Sequence, residues 1–149
     1  MIPIQGIEDV RRGFDVTADA VVVGSGAGGA VVAANLARAG LRTVLVEAGP
    51  ELRPDDMGGD APRFMARYFW EGGLRTIGGT TEIPTLQGRC LGGSTVVNSA
   101  IMMELPQWVR RAWREETGLD LFTGPLLDAA YARVFARTRV APTPMTVLG

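Results

Sequence analysis

The chain has 149 residues, of which 46% are hydrophobic and 21% are charged, and its formal net charge is −1. This balance is typical of a globular domain, and it provides no basic excess for binding nucleic acid or an anionic lipid surface. The single cysteine, Cys90, excludes an internal disulfide, and the absence of histidine removes the commonest metal ligand and neutral-pH base. We therefore predict no metal site and no nucleic-acid partner.

The N-terminal residues include one candidate export signal. Arg11–Phe14, RRGF, precede an apolar run, as in a twin-arginine signal, but Asp15 and Asp19 interrupt the join and glycines fill the run. We therefore expect a cytoplasmic protein.

The apolar run itself has the length of a short membrane span. Residues 20–37 contain no charged side chain, which is close to the minimum for a transmembrane helix. However, Ala20–Val23 is rich in β-branched residues, and the Gly-Ser-Gly sequence at 24–26 breaks a helix. The pattern predicts a buried strand followed by a tight turn, and no membrane span.

A helix and a second strand follow the turn. Ala27–Ala39 is alanine-rich, and Gly40 is suited to cap the helix at its C-terminus. The segment RTVLVEAG then predicts a buried strand that ends at Glu47. Residues 18–48 are therefore expected to form a βαβ unit.

The turn matches the dinucleotide-binding fingerprint G-x-G-x-x-G at Gly24, Gly26 and Gly29. The first glycine permits the turn, the second lets backbone approach a pyrophosphate, and the third lets helix and strand pack closely. Glu47 follows Gly24 at a spacing suited to accept hydrogen bonds from an adenosine ribose, and its charge disfavours the 2′-phosphate of NADP. The fingerprint leaves NAD and FAD open, as well as a glycine-rich turn that binds no ligand.

A second glycine-rich segment, GRCLGGSTVVN, covers residues 88–98. It predicts a loop that enters a short helix and presents N–H groups, hydroxyls and one amide to a polar ligand. By composition alone, a plain turn with a helix cap explains this segment equally well.

Together, VVGSGAGG, VLVEAG and GRCLGGSTVVN resemble the glucose–methanol–choline (GMC) oxidoreductases, a family of FAD enzymes that oxidise alcohols, in both order and spacing. This similarity extends from Ala18 to about Asn98. Residues Glu104–Leu119, ELPQWVRRAWREETGL, are more loosely similar to the branch that contains long-chain and fatty alcohol oxidases. The resemblance implies that residues 1–149 are the N-terminal part of an FAD-binding domain.

The resemblance also implies a set of FAD-binding residues. The first glycine turn would line the pyrophosphate, Glu47 would hold the adenosine ribose, the second loop would lie against the diphosphate and ribityl chain, and Asn98 would lie near the flavin ring. The full set is Gly24, Ser25, Gly26, Ala27, Gly28, Gly29, Glu47, Ala48, Arg89, Gly92, Gly93, Ser94, Thr95 and Asn98.

Three positions differ from patterns found in the family. Val97 occupies the position at which some members carry a histidine linked covalently to the flavin, so we expect non-covalent FAD. Met102 and Glu104 occupy positions at which many members carry a tyrosine and an arginine, so contacts with substrate are not carried over to them.

The remaining elements are predicted from local patterns. Ala61–Trp70 suggests a short helix, and LRTIGGTTEIPTLQG suggests a small β-hairpin. A helical segment over 105–138 contains two helices that begin at Pro106 and Pro125. The first has an apolar face of Trp108, Val109, Ala112 and Trp113, and a face of arginines and glutamates, Arg110 included, that we expect to be solvated. The second has an apolar stripe of Leu126, Leu127, Ala130, Tyr131, Val134 and Phe135.

These expectations describe an α/β fold with an incomplete doubly wound sheet, since one βαβ unit supplies two of the five or six strands such sheets usually have. In the family, further FAD-domain strands, a substrate domain and a catalytic histidine pair or histidine–asparagine pair lie downstream. We therefore expect no catalytic residue in this chain, no alcohol oxidation by it alone, and a complementing C-terminal piece as its partner. The implied function is FAD-dependent oxidation of alcohol CH–OH groups; the alternatives are an NAD-dependent dehydrogenase domain and a truncated, non-catalytic remnant.

Overall fold

The computed structural model describes residues 5–142. Within these residues the fold is mixed α/β, with two small sheets of two strands each. The chain divides into two compact units at the junction of Ser99 and Ala100.

The first unit contains the two sheets and three α-helices. Its elements are α1 (Ile7–Arg12), β1 (Ala20–Val23), α2 (Ala27–Arg38), β2 (Thr43–Val46), α3 (Ala61–Tyr68), β3 (Thr76–Ile77) and β4 (Ile83–Pro84). Short 3₁₀ helices cover Pro54–Gly58, Trp70–Gly73 and Gly93–Thr95.

Strands β1 and β2 pair in parallel, with Ala20 opposite Thr43 and Val23 opposite Val46. Parallel neighbours require a crossover connection, and α2 provides it. The predicted order of strand, glycine turn, helix and strand is therefore observed. Asp19 and Arg42 lie just before the two strands and pair through Oδ1 and Nη2 at 2.7 Å.

Helix α2 approaches β1 closely because Gly29 has no side chain. A Cβ at Gly29 would overlap the carbonyl oxygen of Gly24 and touch Val22. Gly24 makes the turn out of β1 with a φ of 89°, which favours glycine, and its N–H donates to the carbonyl oxygen of Val46 at 2.7 Å. The first and third glycines of the fingerprint therefore set the distance between strand and helix.

A small core lies between α3 and the segment that follows the hairpin. Tyr68, Phe69 and Cys90 are buried, and Leu52, Phe64, Met65 and Val97 pack against them. The N–H of Arg89 donates to the carbonyl oxygen of Tyr68 at 2.6 Å, and the N–H of Trp70 donates to that of Gln87 at 3.0 Å. These contacts anchor the start of the second glycine-rich segment to the end of α3.

One face of the β1–β2 pair is open in the described part of the chain. Val21 and Val23 are 63% and 84% exposed, and Val46 shares their face. Parallel strands are ordinarily covered on both faces, and their sequences are accordingly apolar throughout. Strand β1 is therefore apolar on both faces, although α2 covers only one of them.

Within residues 100–142, the second unit contains two helices, α4 (Gln107–Thr117) and α5 (Pro125–Thr138), with a 3₁₀ turn at Asp120–Phe122 between them. The predicted apolar stripe of α5 is only partly buried. Leu126 is exposed, whereas the remaining stripe residues and Ile101–Met103 line a groove of about 440 Å³.

The expectation that Arg110 faces solvent is wrong. Arg110 is 2% exposed, whereas Trp108, assigned to the apolar face, is 69% exposed. The guanidinium lies 2.6 Å from Asp128 Oδ1 and 3.1 Å from Glu104 Oε2, and its Nε donates to the carbonyl oxygen of Leu105. Its charge is thus compensated by groups that surround it, which is the condition for burying an arginine.

Adjacent glycines in the first turn of α2 provide a matched test of the close approach. A Cβ at Gly29 meets the Gly24 carbonyl oxygen, whereas one at Gly28 meets no heavy atom within 4 Å. We expect Gly29→Ala to lower the free energy of unfolding by about 1–3 kcal/mol, the scale of overpacking. Gly28→Ala should raise it slightly, because alanine favours a helix. Urea denaturation of both variants measures the effect, and equal values would contradict the close packing.

Candidate functional site

Three segments that are distant in sequence meet in the first unit. They are the glycine turn at 24–26, the strand end at Glu47–Pro50, and the second glycine-rich segment at 88–95. The N–H of Leu91 donates to the carbonyl oxygen of Pro50 at 2.9 Å, and the N–H of Gly92 donates to Ser25 Oγ at 2.8 Å. The structure therefore brings the two glycine motifs together at the carboxyl ends of β1 and β2.

The first glycine motif presents backbone and little side chain. Gly26 precedes α2 in an extended conformation, and no side chain caps the helix. The first N–H groups of a helix have no partner within it, and together with the helix dipole they favour an anion. A Cβ at Gly26 or Gly28 would meet no heavy atom within 4 Å, so space is open above these residues.

Glu47 ends β2 and is held by backbone and hydroxyl donors. Its Oε2 accepts hydrogen bonds from Ser25 Oγ at 2.6 Å and Ser25 N at 2.9 Å, and its Oε1 accepts from Gly49 N at 2.9 Å. Partial burial raises the pKa of Glu47, but the hydrogen bonds from Ser25, Gly49 and Ala48 outweigh it and hold the pKa below its ordinary value. Glu47 is thus an oriented carboxylate at the end of the parallel pair.

The second glycine motif packs against the first by backbone. Gly93, with a φ of 57°, lies so close to Gly26 that a Cβ on it would come within 3.0 Å of the Gly26 Cα. Gly92 has a φ of 95°, and a Cβ there would overlap Val96. Gly49 allows the same closeness at the other side, where a Cβ would overlap the backbone of Arg89 and Cys90.

The polar side chains of the second motif brace the loop itself. Ser94 Oγ accepts a hydrogen bond from Gly88 N at 3.0 Å, and Thr95 Oγ1 donates to the carbonyl oxygen of Gly92 at 2.6 Å. Asn98 Nδ2 donates to the carbonyl oxygen of Thr95 at 2.6 Å. These hydrogen bonds shape the loop and the short helix that the sequence predicts after it.

The predicted FAD-binding residues thus fall into two groups. Gly24–Gly29, Glu47, Ala48, Gly92 and Gly93 lie together around the end of β1 and β2. The side chain of Arg89 lies over Trp70, with its guanidinium carbon 5.3 Å from the centre of the ring. The hydroxyls of Ser94 and Thr95 and the amide of Asn98 make hydrogen bonds within the loop.

Sequence reasoning missed the part played by Ser25. It entered the predicted set as a member of the glycine turn, whereas its side chain is 2% exposed and hydrogen-bonded to both Glu47 and Gly92. A hydroxyl residue between two glycines that require close packing is a weak signal for such a role, since the same pattern fits an exposed turn.

A comparison with known families shows which family the chain belongs to. The sequence model described as GMC oxidoreductase matches residues 18–148, which is most of the chain. The chain belongs to the GMC oxidoreductase family.

Individual members of the family are similar over most of the chain. A GMC-type oxidoreductase of Mycobacterium tuberculosis is 40% identical over 134 residues, covering 89% of this chain and 21% of the relative. A long-chain-alcohol oxidase of Arabidopsis thaliana is 35% identical over 134 residues, covering 89% of this chain and 18% of the relative. The chain therefore spans about a fifth of the length of these GMC relatives.

A solved structure supports the same fold. The crystal structure of pyridoxine 4-oxidase from Mesorbium loti superposes with a TM-score of 0.55 at 26% sequence identity. The match covers 71% of this GMC chain and 22% of the solved chain. Within residues 5–142, no helix is both long and apolar enough to cross a membrane.

The hydrogen bonds to Glu47 predict a pH-dependent contribution to stability. Because its folded pKa is lowered, the carboxylate stabilises the fold above its ordinary value of 4.5, and this contribution is lost as pH falls through the folded pKa. We expect Glu47→Gln to lower the free energy of unfolding by about 1–3 kcal/mol at pH 7, the scale for hydrogen bonds to a charged group. The deficit should shrink at more acidic pH.

Chemical denaturation at several pH values measures this deficit. Glu51→Gln is the matched control. Glu51 is exposed, and its ion pair with Arg53, at 3.7 Å, lies on the surface, where such pairs contribute little to stability. A deficit for Glu47→Gln that stays constant between pH 7 and pH 3 would contradict the assignment.

Proposed function

We propose that the chain binds FAD and forms the FAD-binding part of an enzyme that oxidises alcohol CH–OH groups. The observation that carries the proposal is the junction of the two glycine motifs beside Glu47, made by the Gly92–Ser25–Glu47 hydrogen bonds. Family membership supports it, and so do relatives whose names describe oxidation of long-chain alcohols and of pyridoxine.

The residues present suit a dinucleotide in three respects. The open space above Gly26 and the N-terminus of α2 offer room and N–H donors for a pyrophosphate. Glu47 is ionised and oriented, as an acceptor for a ribose hydroxyl requires. The backbone of Gly92 and Gly93 lies close enough to the first turn to contact the same ligand.

In this proposal the chain supplies binding and orientation. Gly24–Gly29 would hold the pyrophosphate, Glu47 and Ala48 the adenosine ribose, and residues 89–95 with Asn98 the flavin half. When bound, FAD supplies the hydride acceptor for oxidation of the alcohol carbon. We assign no catalytic residue to this chain, since it contains no histidine to accept the hydroxyl proton.

The rest of the site is proposed to come from residues outside this sequence. The chain spans about a fifth of its relatives, and Val21, Val23 and Val46 form an uncovered apolar face on the β1–β2 pair. We propose that a complementing piece supplies further strands and covers this face. We also propose a cytoplasmic location, because Asp15 and Asp19 interrupt the twin-arginine pattern.

Gly26→Val tests whether the space above the turn is the cofactor site. Gly26 has a φ of −65° and open space at its Cβ, so the valine should be tolerated by the fold while it fills the position proposed for the pyrophosphate. We expect at least a 100-fold loss of FAD affinity, equivalent to about 2.7 kcal/mol. Fluorescence titration of FAD with the chain measures this loss.

Gly59→Val provides the matched control for this variant. Gly59 also has an ordinary φ and open space at its Cβ, and it lies outside the proposed site. Both variants should melt at similar temperatures, and only Gly26→Val should lose FAD. Equal FAD affinity in the two variants would contradict the site.

Acid release tests whether the cofactor is bound covalently. Val97 packs against the core residues Tyr68, Phe69 and Cys90 and offers no nucleophile. We expect all flavin to appear in the supernatant after acid precipitation of the FAD-loaded chain. Flavin colour that remains in the washed pellet would overturn non-covalent binding.

A further inference from the structure

Ser25 connects the two glycine motifs through a single buried hydroxyl. Its Oγ lies 2.6 Å from Glu47 Oε2 and 2.8 Å from the backbone nitrogen of Gly92. Both partners come from other segments, 22 and 67 residues away in sequence. The acid at the end of β2 and the second glycine loop therefore share one point of attachment.

The chemistry of the partners fixes the direction of both hydrogen bonds. A backbone N–H can only donate, and an ionised carboxylate can only accept. The hydroxyl proton of Ser25 must therefore point to Glu47, and the hydroxyl oxygen accepts the N–H of Gly92. Consecutive hydrogen bonds of this kind polarise one another, so the loop N–H strengthens the bond from the hydroxyl to the carboxylate.

This arrangement determines which way the carboxylate faces. Ser25 N and Ser25 Oγ both donate to Oε2, and Gly49 N donates to Oε1. Loss of the hydroxyl would leave Oε2 with the N–H of Ser25 and would leave the N–H of Gly92 without this acceptor. The Glu47 carboxylate and the loop at Gly92 would then both become more mobile.

We propose that Ser25 is a positioning residue of the FAD site, whose hydroxyl couples the ribose-binding acid Glu47 to the loop at Gly92. This inference rests on the proposed function. Ser25 acts through Glu47 and Gly92: the residue is 2% exposed, and its hydroxyl proton is already donated to Glu47. Binding at the adenosine end would in this way order the loop that receives the flavin half.

A double-mutant cycle with ADP distinguishes positioning from a general role in folding. ADP contains the adenosine ribose and the pyrophosphate and lacks the flavin. In the parent background, we expect Ser25→Ala to raise the Kd for ADP by roughly 5- to 150-fold, the range for a lost hydrogen bond to a charged acceptor. In the Glu47→Gln background, the same change should raise it by less than about twofold, since interacting residues are not additive.

Ser25→Thr is the conservative variant, because it keeps the hydroxyl. It should bind ADP far more tightly than Ser25→Ala. Calorimetric titration of the 149-residue chain and its four variants, the three single substitutions and the Ser25→Ala/Glu47→Gln double variant, provides all the values. Equal losses on Ser25→Ala in the two backgrounds, or no advantage of threonine over alanine, would overturn the positioning role.

A second measurement needs no ligand. In Ser25→Ala, the amide hydrogen of Gly92 should exchange faster than in the parent, and the Glu47 carboxyl should titrate at higher pH by ¹³C NMR. The thiol of Cys90 also faces Glu47; burial and then the charge of Glu47 raise its pKa, so it stays neutral throughout this titration. If Ser25→Ala does not fold, the parent decides: an unprotected Gly92 amide together with a Glu47 that titrates at 4.5 overturns the inference.

The measurements distinguish a failure of this inference from a failure of the proposed function. A folded parent chain that binds neither ADP nor FAD would overturn the proposed function and the inference with it. A parent chain that binds both ligands, with identical ADP losses in the two backgrounds, would overturn the inference alone.

Discussion

The hydroxyl of Ser25 links the first glycine motif to Glu47 at the end of β2 and to Gly92 in the second glycine motif. Strands β1 and β2 have four residues each, and the sheet they form has no third strand within residues 5–142. A two-stranded sheet of this length contributes little stability by its own hydrogen bonds. The hydrogen bonds of Ser25 to Glu47 and Gly92 add a connection across 22 and 67 residues of sequence, at the carboxyl ends of the two strands.

Close packing of backbone against backbone explains why glycines are frequent where the two glycine motifs and the end of β2 meet. At Gly29, Gly49 and Gly88, a Cβ would overlap backbone atoms of another residue in these segments, and at Gly93 it would press against Gly26. Close approach of this kind leaves few side chains around Gly26 and the N-terminus of α2, which no side chain caps. A surface of that composition suits phosphate groups, and it connects the requirements of packing with those of cofactor binding.

The second unit contains a buried, ion-paired arginine in place of close backbone packing between glycines. Helix α4 contributes a buried arginine, Arg110, which pairs with Asp128 and Glu104 and lies over the ring of Tyr131. Its neighbour Trp108 remains exposed. Together with the open valines of β1, this leaves apolar surface on both units among residues 5–142.

The sequence by itself determined the family, the order of strand, turn, helix and strand, and the glycines of the first motif, because these depend on local spacing and backbone conformation. Tertiary structure alone decided that Ser25 joins the two motifs, that Arg89 stacks on Trp70, and that Arg110 is buried. Each of these depends on partners far along the chain or on another element, and a linear pattern does not show which charged or hydroxyl groups will meet such partners and which will face water.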